Sequence, residues 1–407
     1  MCGMCSQHCP TYQLTANENE SPRGRIALIA ALASGQIKAD ASVQNHLQNH
    51  VQAHLEHCTG CRACEDYCPS DVAFGAIINE AKGLLPKRST PTISPTISLT
   101  TGRWLRRYQR WGLQKLVRTS GILKPLGLAQ KETLLPTIPE LPAWQDYYSP
   151  SSETKHHGDV ALFTGCIANV FDREALDASR RLLNKLGYGV HVPPTQGCCG
   201  AMAQHAGQPD EAARLAQGNI SAFAGLDVLA IVHTASGCTA QLSEHHQLPA
   251  LADDNIESAK ALAAKSKDIS QFLASAHWPD DLQIAPLEKA VALHTPCSLS
   301  NVLHQADAPS QLLQRIPKLT IAPLPKTTRC CGGAGQYLLQ QPEFARQLRE
   351  KTLDNIDPQH AIDILVTSNL GCALHLAAGL RERGQPIAVK HPVVLLAQQL
   401  GLIDTDK

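Results

Sequence analysis

No stretch of this 407-residue chain reaches the roughly 18 consecutive apolar residues that a membrane-crossing helix requires. The first residues lack the basic and then apolar regions of a secretory signal, so the chain is expected to face the cytoplasm. No G-x-G-x-x-G follows an apolar run. The glycine-rich "CGGAG" does not fit that pattern, so no nucleotide loop is expected. No local motif pairs a nucleophile with a base. Net charge is also missing, with 36 Lys+Arg against 36 Asp+Glu. Acidic residues are absent from one stretch altogether: between Ala81 and Lys131 there are eleven Lys or Arg and no Asp or Glu.

Cysteine is plentiful, with fifteen residues. Without an export signal, clustered cysteines point to metal binding or redox chemistry rather than to a disulfide framework. "CTGCRACEDYCPS" holds Cys58, Cys61, Cys64, Cys68 and Pro69 in the C-x2-C-x2-C-x3-C-P spacing of bacterial ferredoxins. A tight loop carries three thiolates to one [4Fe–4S] cube, and the fourth cysteine serves the other cube of a pair. Soft thiolates suit iron–sulfur units. A structural zinc site also uses C-x2-C pairs, but the triplet followed by C-P disfavours it.

The chain opens "MCGMCSQHCP", three quarters of a second such motif. The swap rule assigns Cys9, Cys58, Cys61 and Cys64 to one [4Fe–4S] cluster. Cys2, Cys5 and Cys68 fall to the other, whose fourth ligand is expected two residues upstream of Met1. Two explanations stand: an internal methionine taken as the start, or a true start with a three-iron or externally ligated cluster.

The C-terminal half is duplicated. "VALFTGC" ends at Cys166, "GCCGA" holds Cys198 and Cys199, and "TASGC" ends at Cys238. The second copy reads "VALHTPC" to Cys297, "RCCGGAG" with Cys330 and Cys331, and "TSNLGC" to Cys372. The intervals are C-x31-CC-x38-C and C-x32-CC-x40-C. Short apolar runs (160–164 and 291–295, then "DVLAIVHT" and "AIDILVT") alternate with helical patterns, which predicts parallel-sheet α/β units. Cys166, Cys238, Cys297 and Cys372 follow these runs, where α/β sheets gather functional groups. Gly165, Gly200, Gly237, Gly332 and Gly371 beside them are expected to turn the backbone tightly. A lone cysteine is usually a small buried hydrophobe. Eight in matched positions make each quartet a candidate site for an additional iron–sulfur unit.

Together, "CPTYQL", "ESPRGRIALI", "CTGCRACEDYCPSDVAFG", "GCCGA", "TASGC" and "RCCGGAGQYLLQQPEFARQLREKTLDNI" resemble the iron–sulfur subunit of bacterial glycolate oxidase. The resemblance runs from Met1 to about Leu400 and is weakest between residues 85 and 155. The motifs are shared with a wider paired-CCG group: lactate-utilisation proteins, the C subunit of anaerobic glycerol-3-phosphate dehydrogenase, and heterodisulfide reductase B-type subunits. The resemblance implies an electron-transfer subunit that joins FAD-binding partners oxidising glycolate to glyoxylate and passes electrons to a membrane acceptor such as quinone. The heterodisulfide-reductase motif ends in C-x2-C. Here Ala235 and Asn369 replace the first cysteine of that pair, which speaks against a non-cubane cluster and disulfide-reducing chemistry. The rival readings are an iron–sulfur subunit of a lactate or glycerol-3-phosphate dehydrogenase, a heterodisulfide-reductase-like thiol/disulfide enzyme, and a zinc-stabilised scaffold without redox function.

The expected fold is α+β and multidomain. A helical ferredoxin-type domain spans 1–84, and a basic Pro/Ser/Thr-rich linker with an amphipathic helix spans 85–157. A first α/β CCG domain spans 158–257, a connecting helical segment 258–289, and a second CCG domain 290–402, both with parallel sheets. Arg23 and Arg25 stand near the first cysteine motif. They could raise a cluster's potential or dock a partner, but the plainer expectation is a solvated helix start with Pro22 in the first turn. His54 and His57 are expected on a solvated helical turn. His294 could tune or ligate a cluster, and a satisfied strand-end histidine is the plainer expectation. "GRWLRRYQRWGLQKLVR" mixes Trp104, Leu105, Tyr108 and Trp111 with Arg103, Arg106, Arg107 and Arg110. Such a helix suits either an anionic membrane surface, placing the chain peripherally on the inner face of the membrane, or packing on the subunit itself. Nothing beyond charge speaks for nucleic acid.

Overall fold

The computed structural model describes residues 2–35, 50–85, 99–120, 122–123, 132–151, 154–325, 330–356 and 361–404. The first part is helical. Helix α1 (Pro10–Thr15) begins with proline in its first turn and ends at Ala16 in the left-handed region, φ 51°. Helix α2 (Pro22–Ala33) is capped by Ser21, whose hydroxyl accepts the Gly24 N–H at 2.9 Å. Gly24 is required there, because a Cβ would lie 1.9 Å from the Glu18 carbonyl oxygen. Residues 50–56 are helical, and α3 (Ala63–Asp66) and α4 (Phe74–Leu84) follow. Val51, Leu55, Phe74, Ile78 and Ala81 form a small core that also takes in Cys64.

Most of the Pro/Ser/Thr-rich stretch lies outside the described residues. After it come α5 (Leu99–Arg110) and α6 (Leu113–Ser120), separated at Gly112 with φ 71°. Leu99 and Leu105 of α5 pack with Ile138, Leu141 and Val170.

Two sheets make up the remainder. The first has strand order β1-β3-β2-β4-β5: β1 (Tyr147–Tyr148), β2 (Asp159–Leu162), β3 (Gly189–His191), β4 (Ile231–His233) and β5 (Ser266–Asp268). The second has order β7-β6-β8-β9: β6 (Ala290–His294), β7 (Thr320–Pro323), β8 (Ile364–Thr367) and β9 (Ala388–Lys390). Leaving out β1, the two orders correspond strand for strand. Helices follow the strands in both copies: α7 (Arg173–Lys185), α8 (Pro209–Phe223) and α9 (Ser236–Ser243) in the first, α10 (Pro342–Leu353) and α11 (Leu370–Glu382) in the second.

The second sheet is parallel throughout, as the alternating pattern predicts. The first is mixed, which corrects the expectation of two parallel sheets. Its other strands are parallel, but β1 runs antiparallel to β3, pairing Tyr147 with His191 and Tyr148 with Val190. A strand reaching a sheet edge without a crossover helix is free to pair this way. Residues 258–289 also hold more than helix, since β5 lies among them and pairs with β4.

The strand interiors are apolar on both faces because helices cover both. Val160, Leu162, Val190 and Val232 of the first sheet share one buried cluster with Val291, Leu293, Ile364 and Val366 of the second. The final helix α12 (Pro392–Gln399) contributes Val393 to Ala397 to this cluster. One continuous core therefore joins the two copies.

Candidate functional site

Cys9, Cys58, Cys61 and Cys64 line a single cavity. Their backbone explains the convergence. Gly60 and Arg62 both adopt positive φ, 67° and 57°, which curls the loop so that successive cysteines point inward. The Gly60 N–H donates to the Cys58 sulfur at 3.4 Å. Cys9 closes the set from the junction before α1. Burial pushes the Cys64 thiol up, and the neighbouring Cys61, Cys58 and Cys9 push it further. Four thiolates in one buried space need a cationic core to hold them deprotonated. This all-sulfur set fits a [4Fe–4S] group.

Cys2, Cys5 and Cys68 form the second group. Burial raises the Cys5 thiol, and Cys68 and Cys2 lie near enough to add to the effect. The two motifs are tied together by His8 stacked on Tyr67, with ring centroids 3.3 Å apart.

Arg25 is not at a solvated helix start. It is 1% exposed, whereas the Arg23 side chain is 37% exposed and pairs with Glu18. The Arg25 Nη1 donates to the Glu20 carbonyl at 2.6 Å and lies 3.9 Å from the Cys9 sulfur. Its Nη2 reaches Glu20 Oε2 at 2.6 Å and Thr11 Oγ1 at 3.1 Å, and its Nε reaches the His54 carbonyl at 2.7 Å. Helix α2 folds back over the cysteine loop, so the first turn that the sequence exposes is covered. His54 and His57 are likewise corrected. Both are partly buried, and their Nδ1 atoms meet Glu20 Oε1 at 2.6 and 2.8 Å. Burial works against the Glu20 carboxylate, but His57, His54 and Arg25 outweigh it and hold its pKa below the ordinary value.

Later parts of the chain wall the cavity. Gln204, His205, Gln241 and Glu244 come from the first copy. The second copy touches the cysteine loop itself: Asn301 Nδ2 donates to the Cys61 carbonyl at 2.7 Å, and the Cys330 thiol is in hydrogen-bonding contact with the Cys61 thiol. Glu20, Glu244 and Asn301 carry no motif, and nothing in the sequence singles them out.

The cysteines of each repeat lie together. In the first copy Cys166 and Cys198 sulfurs are 3.4 Å apart, and Cys199 contacts both Cys198 and Cys238. In the second, Cys330 contacts Cys297, and Cys331 contacts Cys372. All fifteen cysteines are free thiols. Gly200 and Gly332 make the turns with φ 88° and 76°, and a Cβ on Gly332 would sit 2.7 Å from the Ala345 carbonyl oxygen. Gly237 and Gly371 do not turn the chain but lie in the first turns of α9 and α11. His294 is buried at the end of β6 with Nδ1 3.0 Å from Thr367 Oγ1.

Comparison with known proteins agrees with this arrangement. A 4Fe-4S dicluster domain matches residues 1–72, a cysteine-rich domain matches 160–243 and again 291–377, and the linker region of the glycolate oxidase iron-sulfur subunit matches 95–135. A "probable glycolate oxidase iron-sulfur subunit" of Bacillus subtilis is 32% identical over 98% of this chain and 93% of its own length. The chain belongs to the glycolate oxidase iron–sulfur subunit family. The Escherichia coli glycolate oxidase iron-sulfur subunit is 29% identical over the same shares. Lactate utilization protein A of Shouchella clausii is 30% identical over 57% of this chain and 96% of its own length. Among the described residues no helix is long and apolar enough to cross a membrane.

Proposed function

We propose that this chain is the electron-transfer subunit of a glycolate oxidase complex. Its partner would be an FAD-binding subunit that oxidises glycolate to glyoxylate, releasing two electrons and two protons. The observation that carries this reading is the cavity lined by Cys9, Cys58, Cys61 and Cys64, beside a second group of Cys2, Cys5 and Cys68. A [4Fe–4S] group held by such thiolates carries one electron at a time, so it can divide the flavin's electron pair. The chain itself supplies the tuning: the buried Arg25 cation beside Cys9, the Gly60 N–H on the Cys58 sulfur, and a largely apolar surround. Cys2 is exposed, which makes the second group the natural exchange point with a partner or acceptor. The Cys166/Cys198/Cys199/Cys238 quartet is a further iron–sulfur site on the same reading.

The acceptor is a membrane quinone, with the chain held peripherally on the cytoplasmic face. Support comes from α5 and α6. One side of α5 packs on the body, while Arg103, Trp104, Arg107, Arg110 and Trp111 point outward, Trp104 and Trp111 being 64% and 69% exposed. Arg107 lies over the Trp104 ring at 5.3 Å. A basic aromatic face of this kind suits anionic lipid.

The lactate-utilisation relatives favour a second substrate, lactate. Growth of a gene deletion on glycolate and on lactate separates the two. Loss on glycolate alone supports the first reading, and loss on lactate alone replaces it. Anaerobic iron and sulfide counting on the chain co-purified with its partners tests the centres directly. Fewer than two intact cubes per chain would sink the assignment.

A further inference from the structure

Tyr337 is 7% exposed, and its hydroxyl has no hydrogen-bond partner among the described residues. Leaving a buried hydroxyl unpaired is unfavourable, and folded proteins almost always give such a group an acceptor. The orphaned donor therefore marks a place where something beyond the polypeptide takes the bond.

The second copy carries this side chain to the ferredoxin-type motif. Tyr337 opens a single helical turn, Tyr337–Gln340, shortly after the Cys330–Cys331 pair. It is buried with Leu338 and Ala345, and Phe344 packs against the same cluster. The Phe344 ring meets His57, the residue before Cys58, with centroids 4.4 Å apart. Close by, α10 is tied to α1 through Lys351 Nζ and Gln13 Oε1, 2.6 Å apart. Cys330, Cys58, Arg25 and Glu20 all lie within electrostatic reach of the Tyr337 hydroxyl.

These neighbours narrow the choice of acceptor. Arg25 can only donate, and its Nε, Nη1 and Nη2 are all engaged. Glu20 is committed elsewhere: Oε1 to His54 and His57, Oε2 to Arg25, and its carbonyl to Arg25 and Thr11. The Cys330 thiol contacts Cys297 and Cys61. Sulfur on the Cys58 side is what remains. In a thiolate-held cube that sulfur is electron-rich, and hydrogen bonds to it help set the potential. Burial pushes the Tyr337 phenol up, so the hydroxyl keeps its hydrogen to donate.

We propose that the Tyr337 hydroxyl donates a hydrogen bond to sulfur of the [4Fe–4S] group held by Cys9, Cys58, Cys61 and Cys64. The second cysteine-rich copy thereby tunes a centre whose ligands all lie in the ferredoxin-type motif. The bond adds to the Gly60 N–H on the Cys58 sulfur. It favours the reduced cluster, because a donor gains most where the acceptor is most negative. The inference rests on the electron-transfer reading, and its test separates the failure of one from the failure of the other.

The experiment is an anaerobic redox titration of the full-length chain with its clusters in place, followed by low-temperature EPR. The signal of interest is the one that Cys64→Ser abolishes. Tyr337→Phe keeps the ring and removes only the hydroxyl. It should shift that cluster's reduction equilibrium about tenfold toward the oxidised form, which is about 59 mV for one electron. The cluster that Cys68→Ser abolishes should not move. Pulsed ENDOR after exchange into D2O should show one coupled deuteron fewer in the variant. Placing 3-fluorotyrosine at position 337 makes a stronger donor of nearly the same size, and should move the midpoint the other way. An unchanged midpoint in Tyr337→Phe would overturn the proposal, as would a shift confined to a signal that Cys297→Ser abolishes. Should Tyr337→Phe fail to fold, the fluorotyrosine chain decides, because an unchanged midpoint there overturns it too. A parent chain with no cubane signal would overturn the electron-transfer reading and this inference with it.

Discussion

The Arg25 guanidinium lies 3.9 Å from the Cys9 sulfur, and both are buried. A fixed cation at that distance favours the reduced, more negative state of whatever Cys9 holds. At an effective dielectric near 20, one charge about 4–5 Å away shifts a potential by on the order of 100 mV. Replacing Arg25 with Gln is therefore expected to lower the midpoint of one cluster and spare the other, as read by EPR-monitored redox titration. The same variant leaves Glu20 without its cation and should cost about 3–5 kcal/mol of stability, which thermal unfolding would show.

The cysteine grouping makes a sharper prediction. Cys9→Ser should damage the same cluster as Cys61→Ser, although 52 residues separate them in the chain. Cys68→Ser should instead share the phenotype of Cys5→Ser. Low-temperature EPR of the reduced variants distinguishes the two centres. Matching spectra from Cys68→Ser and Cys64→Ser would contradict the grouping.

Acid sensitivity follows from two buried histidines. Burial drives His391 down to about 3 and His375 to about 4, from an ordinary 6.5. The unfolded chain then binds protons that the folded chain does not. Stability is full above pH 6.5 and falls as the pH drops toward the folded values, by roughly 2 kcal/mol per histidine at pH 5. His391 Nδ1 accepts the Val393 N–H at 3.2 Å, and Nε2 lies 3.0 Å from the Thr234 carbonyl, so the neutral ring carries its proton on Nε2. His391→Asn keeps the helix cap while removing the titrating group. It should flatten the decline in denaturation midpoint between pH 7 and 5.

The outward face of α5 gives a prediction about location. Changing Trp104 and Trp111 together to Ser should weaken sedimentation with phosphatidylserine vesicles at least tenfold without changing the iron content. Raising salt should weaken the parent chain's binding as well, because Arg103, Arg107 and Arg110 are exposed there. Equal sedimentation of parent and variant would remove the membrane role from this helix.

Much of this architecture is legible in the chain. Buried parallel strands are continuous apolar runs, so β2, β4, β6 and β8 stand out, and metal ligands on one short loop betray themselves by spacing. The tertiary partners do not. Glu20 sits in "NENES" with nothing to mark it as buried, and its importance arises from His54 and His57, 34 and 37 residues further on. Arg25 reads as solvated because local pattern cannot register that α2 folds over the cysteine loop. Strand β1 has only two residues, too few to show any alternation.

The cavity around Cys9, Cys58, Cys61 and Cys64 borrows its outer walls from residues as distant as Gln204, Gln241 and Glu244. During synthesis the four thiols emerge long before those walls do. Their chamber stays open to solvent until the first copy has folded against it. Installing the inorganic core is thereby coupled to a time window, which closes when residues 204–248 take their places.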